Sequence, residues 1–314
     1  MTQCITGNQV MENQGQLDPL LVRKFLMERF KVPDDTEMSE CCYHYTTADV
    51  LEKFLIQDGD LRCTHCRALN DRNEYFVGVD VLDEYMQNRN WNQNLSKRIT
   101  NQLKGFAQFD LGMPWIFSFS IYNDSLFQWA TYTDKKEGGY AIGFSISSLL
   151  QLVEKRNAKG NVDPTYPVTT YFLQCLYVGI DDIFGWLDEF FKQYIASGAV
   201  YTSQLDDQSV KKVFLLASVA PLFIKEKSFF IEGEWRLVLE PNFNEAYDWV
   251  ESIGGRPRMW ARVKDDIGLL RDVIKSVIVS PHGKRESLYV NALNLKRRYK
   301  ANFNITFSHS SYQG

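Results

Sequence analysis

Between Ile231 and Leu239 the chain alternates strictly. Ile231, Gly233, Trp235, Leu237 and Leu239 fall on one parity, and Glu232, Glu234, Arg236 and Val238 on the other. A period of two predicts a half-buried strand that turns Trp and Leu into a core. The opposite face then lines up two carboxylates and a guanidinium. Trp115–Ser120 alternates in the same way, with Phe117 and Phe119 set against Ser118 and Ser120. Further strands are expected over Cys41–Tyr45, from Leu61 onward, and over Tyr140–Phe144, Tyr171–Val178, Val273–Val279 and Phe303–Phe307. Helical spacing of apolar residues predicts helices after Thr46 or Thr47, across 76–110, after Asp124 or Ser125, over Asp181–Ile195, over Ser209–Pro221 and over 284–299. On the helix capped by Asp124 or Ser125, Trp129 and Tyr132 stand at i and i+3 and share a face. Asn70-Asp71 with Glu74 marks a turn that opens another helix.

Residues 1–40 begin as a polar stretch rich in Gln and Asn, followed by an Asp18-Pro19 helix start. They are expected to form an extension with one helix, and 41–314 a single domain. Of 314 residues, 45% are hydrophobic and 14% aromatic, enough apolar material for a sizeable core. No run of about 18 apolar residues predicts a membrane span. The first residues lack the basic-then-apolar order of a signal peptide. Six Cys in a chain of this length do not suggest a secreted disulfide framework. Cytoplasmic residence is the expectation.

The net charge of −4 is uneven: residues 256–300 hold 12 Lys/Arg against 4 Asp/Glu, so the rest of the chain stands at −12. A basic end on an acidic body suggests an anionic partner. Arg256, Arg258, Arg297, Arg298 and Lys300, together with Arg236, are the candidate acceptor-binding groups. The alternative is that the cluster at 296–300 complements a helix C-terminus. Cys63-x-x-Cys66 has ligand spacing, but adjacent Cys41 and Cys42 point to opposite strand faces and there is no second such pair, so no metal is expected. Two carboxylates at i and i+2 repel, and enzymes use such crowding to separate pKa values. The plainer alternative is a surface strand with a Glu–Arg ion pair. Ser118 and Ser120 beside aromatic rings suit a cleft for a ribose and a flat base, or else are ordinary strand serines in an aromatic core.

Phe119-Ser120, then Trp129, Tyr132 and Gly138, and much later the run E-x-E-W-R-L from Glu232, together resemble a widespread uncharacterised bacterial domain family. Tyr43-His44-Tyr45, Asn70-Asp71 with Glu74, and the closing strand–helix–strand with its serines look like that family too. The likeness covers about residues 41–312, and the family in turn resembles the ADP-ribosyltransferase fold, including its DNA-modifying toxin branch. The resemblance implies an α+β domain of two packed, mainly antiparallel sheets with flanking helices. It also implies NAD as substrate, a macromolecular acceptor (nucleic acid or protein), and a toxin or phage-defence role that leaves room for a neutralising partner protein. It places three elements: His44 with Thr46, then Ser118 and Ser120 with Trp129 and Tyr132, then Glu234 and Glu232. Glu234 would stabilise the ribosyl cation and Glu232 would activate the acceptor. The first element lacks the Arg of the arginine-directed branch, and the middle one is neither S-T-S nor a lone Tyr, so the target is left open. This reading requires His44, Ser120 and Glu234 to face one cleft. A non-catalytic nucleotide- or nucleic-acid-binding module on the same fold is the second reading, and a glycoside hydrolase using the two carboxylates the third.

Overall fold

The computed structural model describes residues 41–55, 60–65, 73–108, 115–160, 169–194, 213, 217, 220–240, 252–253, 256–257, 260–264 and 270–310. The expected extension over 1–40, Cys66, and the Asn70-Asp71 turn lie outside them. So do Arg258 and most of the helix expected over Ser209–Pro221.

The described strands are β1 (Cys41–Thr47), β2 (Asp60–His65), β3 (Trp115–Ser120), β4 (Gly139–Ser145), β5 (Thr169–Gln174), β6 (Leu176–Tyr177), β7 (Ile224–Lys225), β8 (Glu234–Glu240), β9 (Ser252–Ile253), β10 (Arg256–Pro257), β11 (Trp260–Lys264), β12 (Ile274–Val279) and β13 (Asn304–Phe307). The helices are α1 (Val50–Leu55), α2 (Glu74–Asn88), α3 (Gln93–Gln108), α4 (Leu126–Tyr132), α5 (Ile146–Gly160), α6 (Ile183–Tyr194), α7 (Leu270–Val273) and α8 (Arg285–Arg298). The class is α+β. Nine strands join one sheet, which runs β11-β2-β3-β1-β4-β12-β13, with β8 paired to β3 and β5 to β8. Every contact in it is antiparallel except β12–β13, which α8 connects as a parallel strand–helix–strand unit.

One branched sheet therefore stands where two separate packed sheets were expected. The branch is at β3. One edge of β3 pairs with β8 along its whole length, from Trp115↔Leu239 to Ser120↔Glu234. The other edge is shared: β1 meets it at Tyr43↔Ser120 and β2 at Thr64↔Ile116 and His65↔Trp115. In the gap between these partners, His44 Nδ1 donates to the Ser118 carbonyl at 3.0 Å.

Both faces of the sheet are covered. On one, Cys42, Phe117, Phe119, Ile142, Phe144, Trp235, Leu237 and Val277 pack with α1, α5 and α8. Burial of each large apolar side chain contributes about 1.5–3 kcal/mol. On the other, Ile116 and Val238 pack with α2, α3 and α6, and Tyr43, Tyr45 and Ala141 pack with Trp129 of α4. The half-buried strand expected over 231–239 is corrected in two ways. Lys227–Glu232 forms a 3-10 turn instead of strand, and Gly233 ends it at φ 49°, in the left-handed region that glycine enters without strain. Ile231, expected in the core, is 52% exposed. From Glu234 onward the alternation holds, but the charged face is buried as deeply as the apolar one.

Candidate functional site

Strand pairing sets the site's geometry. Residues opposite each other in an antiparallel pair point to the same face, so Tyr43, Ser120 and Glu234 share a face, as do Ser118 and Arg236. Three further pieces complete that face. The first turn of α2 supplies Glu74. Helix α2 crosses the 3-10 turn Ala220–Phe223 at Gly78, where a Cβ would lie 2.4 Å from Pro221 Cα, so only glycine permits the approach. Strand β7 supplies Lys225, and α4 supplies Gln128 and Tyr132.

The result is a buried charged cluster: Glu74, Lys225, Glu232, Glu234 and Arg236 are each at most 7% exposed. Lys225 Nζ lies 2.5 Å from Glu232 Oε2 and 3.2 Å from Glu74 Oε1, and it also contacts Glu234 Oε2. Arg236 donates from Nε to Glu234 Oε1 at 2.9 Å and from Nη2 to Glu234 Oε2 at 3.0 Å. It also pairs with Glu74 and donates to the Leu222 carbonyl at 3.3 Å. Three carboxylates thus face two cations, leaving the cluster one charge negative among the described residues. Removing charges from water is costly unless each is paired, and a surplus charge adds to that cost.

The two glutamates are held differently. Both Glu234 oxygens are taken by cations. Burial alone would raise its carboxyl, but Arg236 and Lys225 outweigh burial and hold it at about 2. Its backbone N–H donates to the Tyr177 hydroxyl at 2.8 Å. Burial alone would likewise lower Lys225, yet Glu234 and Glu74 keep it above its ordinary value and hence charged. Glu232 has one cation, on Oε2, while Oε1 accepts from the Tyr132 hydroxyl at 3.0 Å. The Glu232 carbonyl accepts from Ser120 Oγ at 2.7 Å and Gln128 Nε2 at 3.2 Å. Burial, then the Glu232 charge, push the Tyr132 phenol well above its usual range, so it remains a donor. Four side chains from three elements therefore fix the position of Glu232.

The structure brings together Ser120, Tyr132, Glu232, Glu234 and Arg236 from the sequence-derived set, with Ser118 at the sheet position beside Arg236. The Glu pair does not share a strand face, because Glu232 belongs to the 3-10 turn; Lys225 is what gathers the two. Trp129 is fully buried, its ring edge-on to Tyr45 at 4.7 Å and its Nε1 donating to Asp124 at 2.7 Å, so it is packing and not a surface for a base. Arg236 faces Glu74 and Glu234 in the interior and is not an acceptor contact.

His44 and Thr46 do not join the site. They sit on the opposite parity of β1 from Tyr43 and Tyr45. The His44 ring packs 4.2 Å from Phe117 and beside Phe54, in the apolar layer. Burial lowers it to about 4, so it is neutral near pH 7. Arg297, Arg298 and Lys300 are also on that side. Arg297 and Arg298 close α8 and Lys300 follows its cap; Leu288, Ala292 and Leu295 of that helix pack into the same layer, and Arg298 pairs with Glu52 at 2.9 Å. That is the helix-end arrangement of basic residues. Arg256 is placed by its backbone in β10, opposite Ile253.

Glu74, Lys225, Gln128 and Tyr177 are missed as site residues by sequence reasoning. A Glu in the first turn of a helix reads as an ordinary partner of the helix dipole, and Lys225 reads as part of a K-E-K charge run. Among the described residues no helix is long and apolar enough to cross a membrane. Compared with protein-family models, curated proteins and solved structures, the chain matches none.

Proposed function

We propose that this chain is an enzyme that breaks the bond between nicotinamide and ribose in NAD, passing ADP-ribose to a macromolecular acceptor or to water. The observation that carries the reading is Glu232. It is a carboxylate on the turn that leads into β8, positioned by Tyr132, Lys225, Ser120 and Gln128, in a buried cluster with one surplus negative charge. Departure of nicotinamide leaves a cationic, oxocarbenium-like ribosyl centre, and a preorganised negative site stabilises that charge most where water is excluded.

The convergence of His44, Ser120 and Glu234 that the three-element resemblance requires is not met, because His44 packs on Phe117 in the apolar layer; the proposal therefore rests on Glu232 and not on that resemblance. Tyr43 and Tyr45, on the site's side of β1, take the place of His44 and Thr46 as the aromatic groups of that strand. The roles of the glutamates also change. Glu232, with one cation and one phenol, is the group that meets the ribosyl centre, and Glu234 holds Lys225 and Arg236 in place. A second reading, a nucleotide-binding module without catalysis, is favoured by Glu234, whose two oxygens are both occupied.

Incubating the protein with NAD labelled in the adenosine half and a cell extract tests the proposal. Release of nicotinamide, with label in protein, nucleic acid or free ADP-ribose, is expected. A rise in thermal midpoint with NAD, without nicotinamide release, supports the second reading. Neither effect at millimolar NAD contradicts both.

A further inference from the structure

Asp124 lies two residues before α4 and collects hydrogen bonds from far along the chain. Its Oδ1 accepts from Trp129 Nε1 at 2.7 Å, Ser308 Oγ at 2.5 Å and Ser310 Oγ at 3.0 Å. Its Oδ2 accepts from the backbone N–H groups of His309 at 2.7 Å and Ser310 at 3.1 Å. Ser310 Oγ also reaches the Asp124 carbonyl at 3.1 Å. The segment Ser308–Ser310 is anchored in turn to the sheet, where Ser308 N–H donates to the Val279 carbonyl at 2.9 Å. Charge-assisted bonds of this kind are roughly twice as strong as neutral ones.

These contacts bear on the site through α4. Asp124 fixes the Trp129 indole, which packs on Tyr45. The Tyr45 hydroxyl donates to the Tyr122 carbonyl at 2.8 Å and accepts from Ser125 N–H at 2.9 Å, pinning the loop that enters the helix. Ser125 caps α4, and the same helix then presents Gln128 to the Glu232 carbonyl and Tyr132 to the Glu232 carboxylate. An α4 of only 7 residues has little stability of its own, so its placement depends on such anchors.

We propose that Asp124 and the Ser308–Ser310 segment form a latch that positions α4, and through it Tyr132, on Glu232; the inference rests on the reading of Glu232 given above. Asp124 and Ser310 are positioning residues, since neither touches the reacting atoms. Opening the latch lets α4 shift, so the Tyr132 hydroxyl leaves Glu232 and the carboxylate loses its fixed orientation.

The test uses the full chain with difluorotyrosine, which ionises at milder pH than tyrosine, placed at position 132. Its fluorine signal is followed through a pH titration in the parent, in Asp124→Ala and in the milder Ser310→Ala. The expected result is a Tyr132 titration midpoint lower by one pH unit or more in Asp124→Ala, with a smaller shift in Ser310→Ala. Nicotinamide release should fall about tenfold or more in kcat with KM nearly unchanged, the size of effect that small misplacements produce. An unchanged midpoint in either folded variant overturns the latch. If Asp124→Ala fails to fold, Ser310→Ala decides by the same criterion. The fluorine readout needs no turnover. A parent without NAD cleavage therefore sinks the proposed function, while the titration still decides the latch.

Discussion

The two faces of β8 carry residues of one alternating strand into different surroundings. Trp235 and Leu237 enter a layer of Phe117, Phe119, Phe144 and Phe172, with Phe172 5.1 Å from Trp235. Glu234 and Arg236 enter a layer that is equally dry but holds three carboxylates and two cations. The first face gains stability simply by leaving water. The second gains it only if every charge finds a partner, and its three carboxylates share two cations. What separates scaffold from candidate chemistry here is the covering elements: α1, α5 and α8 bring apolar side chains to one face, whereas α2, β7 and α4 bring Glu74, Lys225 and Tyr132 to the other.

Removing one cation from the charged face should have the largest effect. Arg236→Leu leaves three buried carboxylates, Glu74, Glu232 and Glu234, to share the single cation Lys225. Chemical denaturation should show a loss of about 3–5 kcal/mol, the usual cost of breaking a buried pair from one side. A loss under about 1 kcal/mol would mean that the cluster is hydrated and the contrast between the faces is weaker than the burial indicates.

The faces should also differ in pH dependence. His44, on the apolar face, is held near 4 against an ordinary value of 6.5. The unfolded chain takes up that proton first, so stability should fall as pH drops from about 6.5 towards 4. Glu234, on the charged face, is held near 2 against an ordinary 4.5. Its contribution is present above 4.5 and is lost only as pH falls from there towards 2. His44→Phe should flatten the upper limb and leave the lower one. An unchanged limb between 6.5 and 4 in that variant would show that His44 is not what titrates there.

The smallest effect is expected at the exposed end of α8. Arg297→Ala with Arg298→Ala should change stability by about 1 kcal/mol or less, as for surface ion pairs. Nicotinamide release should not change, since these residues close the apolar side. A large loss of activity would restore them as acceptor contacts.

Much of the fold is legible in the sequence because alternation and helical spacing act locally. Trp115–Ser120 is a strand as read, and α6, α8, β12 and β13 differ from their expected limits by one or two residues. The break at Gly233 escapes that reading, because its Gly fits an alternating pattern equally well as a strand residue and as a left-handed hinge. For the site, Ser120, Tyr132, Glu232 and Glu234 are legible through the motifs that hold them. His44 misleads because local order gives its place before a helix but not its face, and the face is fixed by the register of β1 on β3. Glu74 and Lys225 come from elements about 150 residues apart in sequence, and nothing local marks either as the other's partner.

If Glu232 meets the ribosyl centre as proposed, the cluster keeps its surplus negative charge for chemistry at some cost to stability. Glu232→Gln tests this most directly, because it removes that charge and keeps the side chain's size. Thermal midpoint and nicotinamide release should be measured on the same preparation. The expected result is a midpoint equal to or above that of the parent, with release reduced about a hundredfold or more. A lowered midpoint with release unaffected, or with none in the parent either, would contradict it and make the cluster a structural ion network.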